Sequence, residues 1–272
     1  KLESQITGTT RLRISGKKLK DIQIPLPPLP IQQRIAEILD AADALKRKDQ
    51  ELLKKYDELA QAIFIDMFGD PVKNEKGWEE GSIRDVVYEV KYGTSKPADA
   101  EGRYPYLRMN NITYSGDWDF KDLKFINLTQ DELEKYTVRK GDIVFNRTNS
   151  KELVGKTAVF DLDTEMAIAG YLIRIRTNKR ANPFYISCYL NSVHGKKTLQ
   201  GMCKSIIGMA NINAQELQDI KILIPPIEIQ NQFTILFVQI QNLKVKKIQQ
   251  NNFSDGLFHT LIQKAFTGEL VN

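Results

Sequence analysis

Cysteine and histidine are nearly absent from this chain, with two of each among 272 residues. Cys188 and Cys203 stand alone, so no cysteine metal or redox motif can be built, and a reducing cytoplasm is the expected setting. His194 and His259 lie far apart with no third ligand in view, which reads as surface histidine and no metal site. Long hydrophobic runs are missing too. None approaches the roughly 20 apolar residues that a membrane span needs, so no membrane is expected. The opening KLESQITGTTRLR is too polar for a signal peptide. It also lacks an initiator methionine, so the chain reads as a fragment or as a processed or engineered form.

Catalytic constellations are lacking as well. NPFY (Asn182 to Tyr185) partly matches the Asn-Pro-Pro-Tyr tetrapeptide of adenine methyltransferases, but its third residue is Phe and no glycine-rich cofactor loop accompanies it. Asn182 capping a helix that starts at Pro183 explains the stretch better. Asp85 and Glu89-x-Lys91 sit too close for a nuclease carboxylate cluster and fit strand alternation instead. No catalytic residue and no cofactor are therefore expected.

What is present is ordinary globular composition, 42% hydrophobic and 27% charged, with a net charge of +5. That surplus permits an anionic partner without demanding one.

The strongest signal is a duplication. At an offset of 198 residues Ile14 falls on Ile212, Asp21-Ile22 on Asp219-Ile220, Pro27-Pro28 on Pro225-Pro226 and Ile31-Gln32 on Ile229-Gln230. The match runs ungapped through Leu45/Leu243, Lys46/Lys244, Asp57/Asp255 and Phe68/Phe266. About 55 aligned residues without a gap mark a repeated structural unit. Each copy alternates like a short strand ("LKDIQIPLPP", "LQDIKILIPP") and stops at Pro-Pro, which suits the start of a helix.

A long helix follows in each copy. Ile31, Ile35, Ile38, Ala42, Leu45, Asp49, Leu52, Tyr56, Leu59 and Ile63 recur in steps of four and three, a coiled-coil seam with Asp49 its one polar member. A helix of roughly 36 residues would be about 54 Å long, and MFGDP (Met67 to Pro71) would end it. The second copy is less regular: Ile229, Phe233, Leu236, Ile240, Leu243, Lys247, Gln250, Ser254, Leu257 and Leu261. Asp49 maps onto Lys247. If the helices pair antiparallel, the two could meet and fix the register; the alternative leaves both solvated at a loosened seam.

Between the copies, Trp78 to Lys204 carries short alternating runs and many turn signals, the mark of a mostly β domain. Val138 to Phe145 reads as a turn entering a strand, Tyr171 to Arg176 as a strand, and Pro183 to Leu199 as the one helical stretch. The segment RLRISGKKLKDIQI aligns with MANINAQELQDIKI, so the chain is expected to begin inside the tail of another such domain.

Taken together, "IPLPPLPIQQRIAEILDAAD", "ILIPPIEIQNQF", "GWEEGSIRDVV", "YPYLRMNNIT", "GDIVFNRTNSKELVGK" and "IIGMANINAQEL" resemble the specificity subunit of type I restriction–modification systems, nearly end to end. The resemblance implies an α+β chain with a mostly β target-recognition domain flanked by two repeat-related helices in an antiparallel coiled coil. Its parts would be the tail of a recognition domain (1–29), a spacer helix (30–70), the recognition domain (71–227) and a second spacer helix (228–272). It further implies a cytoplasmic, non-catalytic reader of double-stranded DNA that sees one half of a split target. The spacer helices would dock DNA adenine methyltransferase subunits, which restriction/translocase subunits then join. One complete recognition domain instead of two leaves two readings open, a fragment of a two-domain subunit or a half-length form that dimerises head to tail.

DNA reading needs Arg or Lys for guanine, Asn or Gln for adenine, and cations or hydroxyls for phosphate. Four loops are dense in these types. Lys91, Tyr92, Thr94, Ser95 and Lys96 form one, with a glycine that admits close backbone approach. Arg108, Asn110 and Asn111 form the second. Asn146, Arg147, Asn149, Ser150 and Lys151 form the third, and Lys204 with Ser205 the fourth. The rival reading is a coiled-coil scaffold whose β domain binds another protein.

Overall fold

The computed structural model describes residues 15–22, 26–203 and 210–270. The chain divides into two compact units, Lys1–Lys54 with Lys244–Asn272, and Lys55–Leu243.

The repeat is visible in the local structure of both copies. Helix α1 (Gly16–Lys20) starts at Ser15, whose side chain accepts a hydrogen bond from the Lys18 amide. Its counterpart α6 (Ala214–Gln218) starts at Asn213, which accepts from the Gln215 and Glu216 amides. The two helices end on Asp21 and Asp219 with the same backbone angles, φ −81° in each. The long helices are α2 (Leu29–Phe68) and α7 (Ile227–Thr267). At the start of each, a glutamine amide reaches back to the first proline of the pair. Gln32 Nε2 donates to the Pro27 carbonyl and Gln230 Nε2 to the Pro225 carbonyl, both at 2.7 Å. Each bond satisfies a carbonyl that the turn into the helix leaves unpaired, which is why the phrase Pro-Pro-x-x-Ile-Gln recurs. Helix α2 stops at Gly69, whose φ of +80° is the left-handed conformation that ends helices on glycine.

The larger unit is built from short strands. Strands β2 (Val87–Tyr92), β6 (Ile143–Asn146), β8 (Thr157–Val159) and β10 (Leu172–Thr177) form one antiparallel sheet in the order β2-β10-β6-β8. A second sheet has the order β4-β3-β9-β5, from β3 (Tyr104–Leu107), β4 (Lys124–Ile126), β5 (Thr137–Val138) and β9 (Met166–Ile168), with β3 and β9 parallel. Two ribbons complete the set: β1 (Glu79–Ser82) with β12 (Lys221–Ile224), and β7 (Thr148–Asn149) with β11 (Ala210–Asn211). The fold class is α+β, as expected.

The expected single helix over Pro183 to Leu199 is two, α4 (Pro183–Asn191) and α5 (Val193–Met202). Ser192 ends the first and caps the second by accepting from the Gly195 amide. Asn182 caps α4 and accepts from the Phe184 amide at 2.9 Å, the role assigned to it from sequence. A further short helix, α3 (Gln130–Tyr136), precedes β5.

The core of this unit takes in the adjoining ends of α2 and α7, so its limits lie outside the expected 71–227. Phe64, Phe68, Tyr185 and Phe233 are buried and pack ring against ring at 4.6 to 5.7 Å. Gln230, fully buried, ties α7 to the start of α4: its Oε1 accepts from the Asn182 amide at 2.8 Å.

In the smaller unit α2 and α7 run antiparallel. Lys247 meets Asp49 at 2.5 Å and Lys46 meets Asp255 at 2.9 Å. The seam differs from expectation by one residue in every second position. Leu45, Leu52 and Leu59 are exposed, and the residues after them, Lys46, Leu53 and Ala60, turn inward. In the second copy Leu236, Leu243 and Leu257 are exposed, while Phe237 and Phe258 are partly buried and Lys244 is buried. A heptad count fixes the spacing of a seam but not which neighbouring face is used. Ile31, Ile35, Ile38 and Ile229 are partly buried.

Candidate nucleic-acid interface

Strand register brings the expected loops to one edge. Tyr92 at the end of β2 pairs with Ile173, and Asn146 at the end of β6 pairs with Leu172. Leu107 at the end of β3 pairs with Ile168 at the end of β9. The next residues are stitched by main-chain bonds: Thr94 N to Ile168 O, Ala169 N to Leu107 O, Arg147 N to Tyr171 O and Ile212 N to Arg147 O. Segments 91–96, 107–111, 146–150, 168–172 and 210–214 therefore share this edge. Gly93 belongs to the stitching and not to a ligand approach, because a Cβ there would collide with the carbonyls of Ile168 and Ala169.

Three expected contact residues are buried. Asn111 is buried; its Oδ1 accepts from the Arg108 amide and its Nδ2 donates to Asp119 O, each at 2.8 Å. Thr94 is buried, and its hydroxyl accepts from the Lys96 amide. Asn146 is fully buried at the end of β6, with its Nδ2 unpartnered. Small polar residues that tighten turns and those that read bases are the same types, so composition alone could not separate them. Lys204 and Ser205 lie outside the described residues.

The others reach solvent. Lys91, Tyr92, Ser95, Lys96, Asn110 and Lys151 are exposed, and Arg108, Arg147, Asn149 and Ser150 partly so. Arg147 is held flat, its guanidinium carbon 4.9 Å from the Tyr92 ring centre, while the Tyr92 hydroxyl accepts from the Ala214 amide at 2.8 Å. The Asn149 side chain accepts from the Ser150 amide. The cations are paired within the chain: Lys91 with Glu89 at 2.6 Å, Lys96 with Glu132 at 2.6 Å and Arg108 with Asp122 at 2.8 Å. Hydrogen bonds from Lys124 and Arg108 hold the Asp122 carboxyl below its ordinary value. A bond from Lys96 does the same for Glu132.

Behind this edge lies a buried ion network. Glu89 accepts from Arg174 at 2.8 Å and Arg176 at 3.0 Å, and Arg176 also binds Asp142 at 2.8 Å. Burial pulls the Glu89 carboxyl up, but the Lys91 hydrogen bond and the two arginine charges outweigh it and leave it lowered.

Sequence reading missed several residues here. Lys156 is buried, and its ammonium donates to Met109 O at 2.7 Å and Ile112 O at 2.5 Å, pinning the turn that carries Asn110. Burial pushes its pKa down. Tyr171 is exposed beside Arg147 in the turn that enters β10. Asp122, in the turn before β4, pairs with Arg108, and Lys124 at the start of β4 pairs with Asp122 in turn. The glycine before Tyr171 was the one available signal; the rest is long-range.

The fold and this edge define a β domain that gathers cationic and amide-bearing loops at its strand ends and carries two paired helices. Among the described residues no group of His, Cys, Asp and Glu could hold a metal, and no helix is long and apolar enough to cross a membrane. A family model described as the type I restriction modification DNA specificity domain matches residues 1–55 and 75–252, and the chain belongs to that family. It is 24% identical over 290 residues to the Escherichia coli K12 type I restriction enzyme EcoKI specificity subunit, covering 99% of this chain and 62% of the relative. It is 28% identical over 211 residues to the putative Methanocaldococcus jannaschii MjaX specificity subunit, covering 71% and 49%. The chain thus spans about half to under two thirds of the length of these relatives. Among solved structures, a chain from a type I R-M system study superposes with TM-score 0.62 at 21% identity, over 97% of this chain and 66% of that one. The S subunit of M. genitalium gives 0.57 at 16%, over 97% and 68%. These likenesses show the fold.

Proposed function

We propose that this chain is the non-catalytic, DNA-reading part of a type I restriction–modification enzyme. The larger unit reads one half of a bipartite duplex target, and the long helices dock the adenine methyltransferase subunits, which restriction/translocase subunits then join. The observation that carries the reading is the convergence of Lys91, Lys96, Arg108, Asn110, Arg147 and Asn149 at one strand-end edge in a chain of the specificity family. Cations there serve phosphate and amides serve adenine edges. Docking is supported by the exposed Leu45, Leu52 and Leu59 of α2 and the exposed Leu236, Leu243 and Leu257 of α7, apolar rows that want a cover.

The second half-site needs a second reader, either a further domain of a longer chain or a second copy joined head to tail. Mass measurement of the assembled complex distinguishes the two. The functional test is reconstitution with methyltransferase subunits, followed by mapping of methylated adenines on genomic DNA. The expected result is methylation at one split motif. Methylation without motif preference, or a complex that forms but retains no duplex, overturns the reading and favours the scaffold alternative.

A further inference from the structure

Asp122 stands in the turn before β4, and its carboxylate gathers donors from the interface. Arg108 Nη2 donates to its Oδ2 at 2.8 Å and to its backbone oxygen at 3.2 Å. Asn110 Nδ2 reaches the same Oδ2 at 3.4 Å, and Lys124 Nζ lies 3.1 Å from Oδ1. A guanidinium, an amide and an ammonium converging on one pair of anionic oxygens is what a DNA phosphate, or the paired acceptors of a guanine edge, would also meet.

The scaffold under these donors is fixed independently of Asp122. Asn111 holds the Arg108 amide, and Lys156 holds the carbonyls of Met109 and Ile112. Arg108 Nε is buried and has no partner, so Asp122 leaves the guanidinium incompletely satisfied. Asp122 itself is exposed, its side chain 59% accessible, and it caps no helix. Glu132, the partner of Lys96, differs: it also accepts from the Thr129 amide at the start of α3 and so has a structural duty. Among the described residues the Asp122 carboxylate bonds only these donors.

We propose that Asp122 is a built-in competitor for DNA, a carboxylate that fills the Arg108–Asn110–Lys124 donor set until an acceptor oxygen of the correct duplex displaces it. The proposal rests on the DNA-reading function above. Its consequence is selectivity: a duplex that offers only a loosely placed phosphate gains little from the exchange, while one whose acceptors also satisfy the donor geometry gains enough to eject the carboxylate.

The test measures binding of the purified full chain, alone and with a methyltransferase subunit, to a non-cognate duplex and to a library of random-sequence duplexes. Asp122→Asn and Asp122→Ala are compared with wild type after thermal melts check folding, and Glu228→Gln serves as a charge control on an exposed site. Freeing the donors should tighten non-cognate binding about two- to five-fold, the scale of an exposed ion pair. A phosphate occupant should also steepen the dependence of log K on log salt by about 0.9 at every sequence. A base-edge occupant should instead blur the selected preference at one position. The gain should vanish in the Arg108→Ala/Asp122→Ala double variant. Wild-type affinity in the Asp122 variants, an equal gain from Glu228→Gln, or a gain that survives loss of Arg108 overturns the competitor and leaves DNA reading intact. Failure of every form to bind duplex overturns both.

Discussion

The same two helices carry two kinds of interior. Where α2 and α7 join the larger unit, the facing residues are Phe64, Phe68 and Phe233, closed by Tyr185. In the smaller unit the facing residues are Asp49 with Lys247 and Lys46 with Asp255. The aromatic end buries large apolar area and depends little on detailed alignment. The charged end adds little net stability, because desolvation offsets attraction, but it tolerates only one register. One end therefore anchors the helix ends in the larger unit, and the other sets opposite charges against each other.

The largest expected effect is at the aromatic end. Phe233→Ala should destabilise the larger unit by about 3–5 kcal/mol, because it removes a fully buried ring from a packed cluster. Both tryptophans, Trp78 and Trp118, lie in that unit, so their fluorescence during urea unfolding measures it directly.

The charged end should respond less and in a different way. Asp49→Ala leaves Lys247 half-enclosed without its partner and should cost about 1–3 kcal/mol, read from helical circular dichroism. Exchanging the two residues (D49K with K247D) should recover most of the loss. A double-mutant cycle with no coupling would remove the register role from this pair.

Acid should separate the regions further. The Glu89, Asp122 and Glu132 carboxyls sit below their ordinary values in the folded chain. Such groups contribute stability that is complete above the unfolded carboxylate range and is lost as pH falls through the lowered folded values. Tryptophan-detected stability should hold from neutral pH down to about 5 and decline below about 4.5. Glu89→Gln should make that decline shallower.

The smallest effect on the isolated chain belongs to the exposed leucines. Leu45→Ser together with Leu52→Ser should alter unfolding by only about 0.5 kcal/mol or less per site. Capture of methyltransferase subunits, measured by co-purification, should drop sharply if those rows are the docking surface. An unchanged capture would shift docking to another face.

Much of the architecture could be read directly because it is local and repeated. The Pro-Pro turn and the Asn182 cap each act within a few residues, so their residue types sufficed. The meeting of Asp49 with Lys247 could be posed because a repeat relates their positions. The face of each helix could not, since Leu45 and Lys46 are neighbours and a heptad count does not choose between them. Within the interface, Arg108, Lys96 and Arg147 carry side chains that announce their chemistry. Thr94 and Asn111 carry equally polar ones that the fold spends on its own turns.

The sequence by itself determined the duplication, the starts of the two long helices, the end of the first at Gly69 and the α+β character, because each depends on neighbours along the chain. Only the tertiary structure decided which polar residues remain available to a ligand. It also decided which carboxylates already occupy the cations, and which leucines stay outside. Those outcomes depend on partners such as Asp122, in the turn that leads into β4, for Arg108 and Glu132 on α3 for Lys96.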